Sequence, residues 1–310
     1  MSSPICLNPA YSTTRLVTPK KSVEGPIAHD IIRSMLILSE GKDCKGEGGL
    51  RSKGYFKQNH HGQPLFTIVT VVYNGKDILE ETILSIIGQT YENVEYIIVD
   101  GGSTDGTLEI IRKYEHAIDY WMSEKDDGIY DAMNKGIDLT TGAWINFMNA
   151  GDTFAVNTIL KDIANQIGKR DIEIIYGGAN VHKENGKCLV SLRPLNLNLQ
   201  NLNRFASRTV CHQSILVSTK NVPKYDLRYK LKGELNWYYE LIKRVEKEKR
   251  LKMDFMICNY ILGGTGDKQF WKNYKERILV TKNNIGWLRF ILTIPFFFIP
   301  LFFRFKRLFQ

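Results

Sequence analysis

The feature that most constrains the fold is a continuous run of β-branched and apolar residues, Phe66-Thr67-Ile68-Val69-Thr70-Val71-Val72-Tyr73, which stops at Asn74-Gly75. A strand of this composition has no polar face, so it is predicted to be buried on both sides, as in a parallel sheet. Residues 78–89 follow with apolar positions at Ile78, Leu79, Ile83, Ile86 and Ile87, close to helical spacing. A second strand is predicted at 94–99, ending at Asp100, then a tight turn at 101–106 and a helix at 108–114. Further strands are predicted at 118–122 and 143–148, with a helix at 129–136 between them. This alternation predicts an α/β fold with a mostly parallel sheet and flanking crossover helices. Ligands of such sheets lie beyond the carboxyl ends of the strands. The positions to watch are therefore Tyr73, Asn74, Asp100 and residues 149–152.

Beyond Asp152 the pattern loosens. Strands are predicted at 172–176 and 212–217, and a helix with one basic side at 235–249. No internal repeat is visible. Before Leu65, Ser, Thr, Pro, Gly and Lys dominate, which predicts a flexible N-terminal arm over residues 1–63. The apolar stretch 31–38 is its one candidate for a helical turn or a small packed helix. Cys6, Cys44, Cys188, Cys211 and Cys258 are scattered and form no CxxC pair, which argues against a disulfide scaffold or a zinc cluster. The first 21 residues hold no apolar core of the kind a secretory signal needs, so none is expected.

The net charge of +9 is unevenly placed. Residues 221–310 carry 19 Lys/Arg and 8 Asp/Glu, whereas the first 220 residues carry 23 and 25. A basic excess points to nucleic acid or to an anionic membrane. Residues 290–303 are apolar apart from Thr293, contain Pro295 and Pro300, and are flanked by Arg289, Arg304, Lys306 and Arg307. A run of about 10–14 apolar residues is short for a span and suits an interface, a re-entrant segment or a buried helix. With its flanking bases it predicts a segment, 268–310, that associates with an anionic membrane surface.

Three polar motifs sit at the strand ends. Asp100-Gly101-Gly102-Ser103-Thr104-Asp105-Gly106 places a carboxylate and small residues where a ligand can approach the backbone, or forms a plain capped turn. Its spacing is not the dinucleotide fingerprint. The stretch 123–136 sets Asp126 and neighbouring acids before a helix on which Asp131, Asn134 and Lys135 share one face. Asn149-Ala150-Gly151-Asp152 follows a buried strand, and Asp152 suits either a divalent cation with phosphate oxygens or a helix cap before 156–167.

Taken together, these motifs resemble the family-2 glycosyltransferases, which have the GT-A nucleotide-sugar-binding fold. The resemblance runs from Leu65 to about Gly264, is strongest up to Asp152, and is nearest the bacterial branch that builds exopolysaccharides such as colanic acid. It implies that Tyr73, Asn74, Asp100, Gly102, Ser103 and Asp126 bind the donor, and that Asp131, Asn134 and Lys135 belong to the same substrate site. Asp152 matches the last Asp of the family's DXD-type motif, which implies a Mg2+ or Mn2+ ion on the donor diphosphate. Gly151 stands where the family often has a further Asp. Cys211-His212-Gln213-Ser214 resembles the branch's His-Gln element, which implies that His212 and Gln213 lie near the acceptor or diphosphate, while a packed strand histidine remains the alternative. In Lys232-Gly233-Glu234-Leu235-Asn236-Trp237, Glu234 occupies the place of the family's catalytic base. Gly263-Gly264-Thr265-Gly266 resembles a late loop that folds over the donor.

These readings divide the chain into an arm (1–63), a GT-A domain (64–267) and a C-terminal segment (268–310). The expected activity is inverting, metal-dependent transfer of a sugar from a nucleoside diphosphate to a glycan or lipid-linked acceptor in cell-surface polysaccharide synthesis. The expected location is the cytoplasmic face of the inner membrane, peripheral or monotopic, with no nucleic acid as partner. Two alternatives stand beside it: a sugar nucleotidylyltransferase, although Tyr73-Asn74-Gly75-Lys76 is not the phosphate loop of one, and a nucleic-acid-binding protein using the basic C-terminal third.

Overall fold

A computed structural model describes residues 3–19, 44–168, 170–183, 186–203, 210–262, 269–286 and 290–291. In chain order the strands are β1 (Thr18–Pro19), β2 (Cys44–Gly48), β3 (Tyr55–Phe56), β4 (Phe66–Val72), β5 (Val94–Asp100), β6 (Tyr120–Glu124), β7 (Trp144–Phe147), β8 (Thr153–Phe154), β9 (Ile174–His182), β10 (Cys188–Leu192), β11 (Ile215–Ser218) and β12 (Arg250–Ile261). The helices used below are α1 (Lys76–Ile87), α2 (Thr107–Lys113), α3 (Ile129–Leu139), α4 (Ile159–Ile167), α5 (Gly233–Arg244) and α6 (Phe270–Ile285).

All seven residues of β4 are buried, as are all seven of β5. Their side chains alternate between two cores, which is why neither strand shows a polar face in the sequence. Val69, Val71, Ile97 and Val99 face a core completed by Met133 of α3, Trp237 of α5 and Val280 of α6. Ile68, Val72, Tyr96 and Ile98 face the opposite core, with Leu79 and Ile83 of α1 and Ile163 of α4. The result is a three-layer α/β arrangement. The sheet order is β2-β6-β5-β4-β7-β11-β9-β12-β8, with β10 paired to β9. The pairs β4–β5, β4–β7, β5–β6 and β9–β12 are parallel.

Several features depart from the sequence-based expectation. The helix expected at 235–249 is α5, which starts at Gly233 and ends at Arg244, with a separate 3-10 turn at Lys247–Lys249. Residues 212–217 are not one strand: His212–Ser214 form a 3-10 turn, and β11 begins only at Ile215. The turn is closed by the Ser214 amide and hydroxyl, which both donate to Cys211 O, at 2.9 Å each. The long strand β12 was not foreseen. It joins the sheet beside β9, with register shifts between Lys252 and Met256 and between Met256 and Cys258.

The described parts of the expected arm are packed on the domain. β2 pairs antiparallel with β6. Thr13 Oγ1 donates to Ala117 O at 2.7 Å and Ser12 Oγ to Ile86 O at 3.0 Å, while Leu50 and Val17 are buried. Polar side chains and backbone make most of these contacts, so no apolar periodicity announced them. Residues 20–43, including the candidate helical stretch 31–38, lie outside the described residues.

The deepest of these contacts is ionic. Arg51 Nη2 lies 2.5 Å from Glu95 Oε1, with side chains 3% and 1% exposed. Arg51 Nη1 also donates to Leu139 O at 2.8 Å, and Glu95 accepts from Thr67 and Thr141. Removing one partner strands a buried charge. Arg51→Ala is expected to lower the unfolding free energy by about 3–5 kcal/mol in urea melts. An effect below about 1 kcal/mol, the range of surface pairs, would contradict a buried clamp.

Candidate active site at the strand ends

The carboxyl ends of β4, β5 and β6 are tied by side chains. After β4, Tyr73 is 65% exposed and Asn74 takes a left-handed φ of 50°. The Asn74 amide donates to Ser103 Oγ at 2.7 Å, and Asn74 Oδ1 accepts from the Thr104 amide at 2.9 Å. Asn is among the few non-glycine residues that tolerate this conformation, and these bonds hold it there. Asp100 is fully buried. Its oxygens accept from the Ser103 amide at 3.0 Å, from Ser103 Oγ and from Ser123 Oγ. Asp100 and Ser103 therefore shape the loop from inside, which departs from their expected role as ligand contacts. Gly102 has φ +80°, and Lys45 of β2 covers it by donating to Gly102 O at 2.8 Å and Ser103 O at 3.0 Å.

Asp126 stands against this loop. A Cβ on Gly101 would lie 2.4 Å from Asp126 Oδ2, so the absence of a side chain there lets the carboxylate approach the backbone. Asp126 is half-buried, and desolvation pushes its carboxyl above the usual range. Lys135 Nζ sits 2.6 Å from Glu124 Oε1 and 3.5 Å from Asp131 Oδ2. Burial opposes its charge, but these two carboxylates hold the ammonium above its ordinary value. Asn134 does not join them: its Nδ2 donates to Tyr225 O at 2.9 Å and its Oδ1 accepts from the Tyr225 amide at 2.7 Å. Its amide is committed to fixing the loop around Tyr225, again a departure from the expected substrate contact.

The 149–152 turn is pinned from α1, where Thr82 Oγ1 accepts from the Gly151 amide at 2.9 Å and donates to Asp152 O at 2.8 Å. Asp152 is 5% exposed. Its Oδ2 accepts from Gln213 Nε2, and its Oδ1 from the Ile261 amide of β12 at 3.1 Å. Burial pushes its pKa up to about 7. Gln213 is buried and orients this carboxylate, with Cys211 Sγ donating to its Oε1. His212 Nε2 accepts from Asn149 Nδ2 at 2.8 Å. Burial lowers the imidazole pKa, with the charge of Glu234 acting in the opposite sense. Glu234 is thus close enough to His212 to act on its titration.

Glu234 lies in the first turn of α5, the end that favours a carboxylate. Tyr130 Oη donates to Glu234 Oε2 at 2.5 Å, and Lys232 Nζ lies 3.4 Å from Oε1. Gly233 is required here, because a Cβ would meet the Tyr130 ring at 2.7 Å. Tyr130 stacks on Tyr225 at 5.2 Å and Tyr225 on Trp237 at 5.3 Å. The Tyr225 hydroxyl in this stack is buried without a hydrogen-bond partner. The segment entering α5 is held by Glu276 of α6, which accepts from the backbone amides of Lys230 (2.9 Å), Leu231 (2.5 Å) and Lys232 (2.5 Å). Sequence reasoning missed Tyr130, Tyr225, Lys45 and Glu276. Only Tyr130 lay inside a recognised motif; the other contacts join distant parts of the chain and leave no local signal.

Among the described residues, no three His, Cys, Asp or Glu side chains converge as a metal site. A divalent cation here would take most of its oxygen ligands from a phosphorylated substrate and water. The turn fits such an ion: Asp152 is a buried carboxylate with no cationic partner among the described residues, and Asn149 Oδ1 on the same turn is buried and unbonded. The late glycine element at 263–266 lies outside the described residues.

Asp152 gives a pH-dependent stability. Unfolded it ionises near pH 4, whereas folded it keeps its proton up to about pH 7. The stability this adds is complete below about pH 4 and is lost as pH rises through about 7. In EDTA, wild type is expected to lose stability relative to Asp152→Asn between about pH 4 and pH 8 in urea titrations. A difference that does not change with pH would contradict the burial of this charge.

Comparison with known proteins bears on the fold that carries these residues. The model of the family described as "Glycosyl transferase family 2" matches residues 67–212. A PGL/p-HBAD biosynthesis glycosyltransferase of Mycobacterium bovis is 31% identical over 176 residues, covering 54% of this chain and 66% of that protein. An uncharacterized glycosyltransferase of Rickettsia bellii is 35% identical over 135 residues, covering 42% of this chain and 19% of that protein. The aligned part thus spans less than two thirds of either relative. Among solved structures, S. aureus TarS 1–349 in complex with UDP-GlcNAc superposes with a TM-score of 0.56 at 16% identity, over 70% of this chain and 65% of that one. The mannosyltransferase PcManGT of Pyrobaculum calidifontis, in complex with GDP-Man and Mn2+, gives a TM-score of 0.51 at 13% identity, over 73% and 65%. The match to the glycosyl transferase family 2 model thus covers the strand ends from β4 to β8 and reaches His212, and the sheet that carries them has a GT-A-type fold.

Proposed function

We propose that this chain transfers one sugar from a nucleoside-diphosphate donor to a glycan acceptor carried on a lipid, with inversion at the anomeric carbon, in cell-surface polysaccharide synthesis. The observation that carries the reading is the match of residues 67–212 to the glycosyl transferase family 2 model, with the buried Asp152 on the strand-end turn inside it. Asp152 lies at the strand-end turn, and Glu234 opens α5; His212 is bonded to Asn149 of that turn and feels the charge of Glu234. Tyr73, the Gly102 backbone, Asp126 and the Asp131–Lys135 pair line the donor side, with Asp100, Ser103 and Asn134 fixing them from behind. Gln213 orients Asp152.

When bound, Mg2+ or Mn2+ supplies positive charge against the leaving diphosphate. Asp152 and Asn149 Oδ1 are the protein atoms that would hold it. Glu234 Oε1 or Oε2 takes the proton from the attacking hydroxyl, and the Tyr130 hydroxyl keeps that carboxylate aimed. Glu234→Gln keeps the shape but removes the base. It is expected to lower transfer by about 10²–10⁴-fold without altering the circular dichroism spectrum, while Asp152→Ala abolishes metal-stimulated transfer. Full activity of both variants would overturn the assignment.

The basic, apolar segment at 268–310 supports docking at the cytoplasmic leaflet, where a lipid-carried acceptor would be presented. Among the described residues, no helix is long and apolar enough to cross a membrane. On α6, Trp271 and Leu279 are exposed and alternate with the exposed Lys275. Deleting residues 290–310 is expected to move the protein from the membrane pellet to the supernatant. A truncated chain that still sediments with membranes would contradict this role.

A further inference from the structure

Residues 101–103 form a strip between Tyr73 and Asp126 on the donor side of the strand ends. On one flank Ser103 Oγ accepts from the Asn74 amide at 2.7 Å, next to the exposed Tyr73. On the other flank the strip fits because Gly101 and Gly102 lack a Cβ, which would stand 2.4 Å from Asp126 Oδ2 and 3.3 Å from Lys125 N. Asp100 holds the strip from beneath through the Ser103 amide and hydroxyl. Its carbonyl oxygens, Gly102 O and Ser103 O, are held by Lys45 Nζ at 2.8 and 3.0 Å.

Lys45 reaches these atoms from two strands away. The sheet order here is β2-β6-β5. Neighbouring strands lie about 4.8 Å apart, so it takes a long side chain to cross β6. The backbone of β2 is adapted to this reach. Cys44 pairs with Glu124 and Gly46 with Ser123, so Lys45 is an extra residue without a partner on β6. A bulge of this kind bends the strand and re-aims a side chain. Gly46 follows at φ +147°, a conformation that suits glycine. Lys45 is exposed, and water would serve the two carbonyls without it, so the contact adds little to stability. Yet ordering a lysine side chain costs entropy. An irregular strand and an ordered lysine that return little stability point to a use in binding. The match to the family model begins at residue 67, so Lys45 and its bulge lie outside it.

We propose that Lys45 is a positioning residue for the nucleoside-diphosphate donor, holding residues 102–103 so that Tyr73 and Asp126 keep the spacing the nucleoside needs. The assignment rests on the transferase reading above and adds to its donor site a residue from the N-terminal part of the chain. Lys45 acts through the backbone of the strip and takes no part in the transfer itself. Its contribution is therefore to donor affinity, equal in the bound ground state and the transition state.

Calorimetric titration of the full chain with UDP, GDP and dTDP, each with Mn2+, tests this. Lys45→Met removes the donors and keeps most of the side chain. Because Lys45 is exposed, this variant is expected to keep the wild-type melting temperature. It is expected to weaken binding of the nucleoside diphosphate that wild type prefers by about three- to tenfold, the scale of a lost hydrogen bond. In hydrolysis of the corresponding nucleotide sugar, KM is expected to rise by the same factor with kcat unchanged. Lys45→Arg, which can donate to both carbonyls, is expected to restore wild-type affinity. Equal affinity of wild type and Lys45→Met would overturn the proposal. So would tighter binding by Lys45→Met, because the lysine would then obstruct the donor rather than position its site. A loss in Lys45→Arg as large as in Lys45→Met would overturn it too, because the carbonyl bonds would then not be what matters. If wild type binds none of the three nucleotides, the transferase reading falls and this assignment with it. If wild type binds one of them and Lys45→Met binds it equally well, this assignment alone falls.

Discussion

The carboxylate of Asp100 is the fixed point of the strand-end loops of this molecule. It is fully buried at the end of β5, where an unsatisfied negative charge would be prohibitive. It is satisfied by the Ser103 amide and hydroxyl and by the Ser123 hydroxyl of β6. Ser103 Oγ in turn accepts from the Asn74 amide after β4. One charge thus sets the positions of three neighbouring strand ends, and the exposed Tyr73 projects from a frame it does not itself hold up. Charge-assisted bonds of this kind are stronger than neutral ones, and the low dielectric around them sharpens their geometry.

The start of α5 is positioned by packing and by a second carboxylate. The Tyr130–Tyr225–Trp237 stack forms a wall into which only a glycine fits at position 233. Glu276 gathers three successive backbone amides just before α5, so α6 governs where Glu234 stands. The same helix carries exposed Trp271 and Leu279 on its outer side. Whatever meets that outer face is one helix diameter from the segment that positions Glu234.

The first half of the domain was legible in the sequence because its strands are buried on both faces and its loops carry chemistry at their ends. β4 and β5 fall almost where the apolar runs place them, and Asp152 and Glu234 occupy the strand end and helix start where they were sought. The division of labour within the motifs was not legible. Asp100, Ser103, Asn134 and Gln213 are polar residues in ligand-like positions, yet their polar atoms face inward and hold other loops. A motif records which residues are needed at a site, but burial decides which of them meet a ligand. β12 and the N-terminal contacts were missed for a related reason: they are stabilised by pairing with distant strands and by the Arg51–Glu95 ion pair, neither of which produces local periodicity.

The roles proposed for Asp152 and Glu234 imply a single displacement, in which the acceptor hydroxyl enters opposite the leaving diphosphate. The anomeric configuration of the first-formed product, read by NMR coupling constants before mutarotation or further reaction, tests this most directly. Inversion relative to the nucleotide-sugar donor is the expected result. Retention would show a covalent or front-face route and contradict the role given to Glu234.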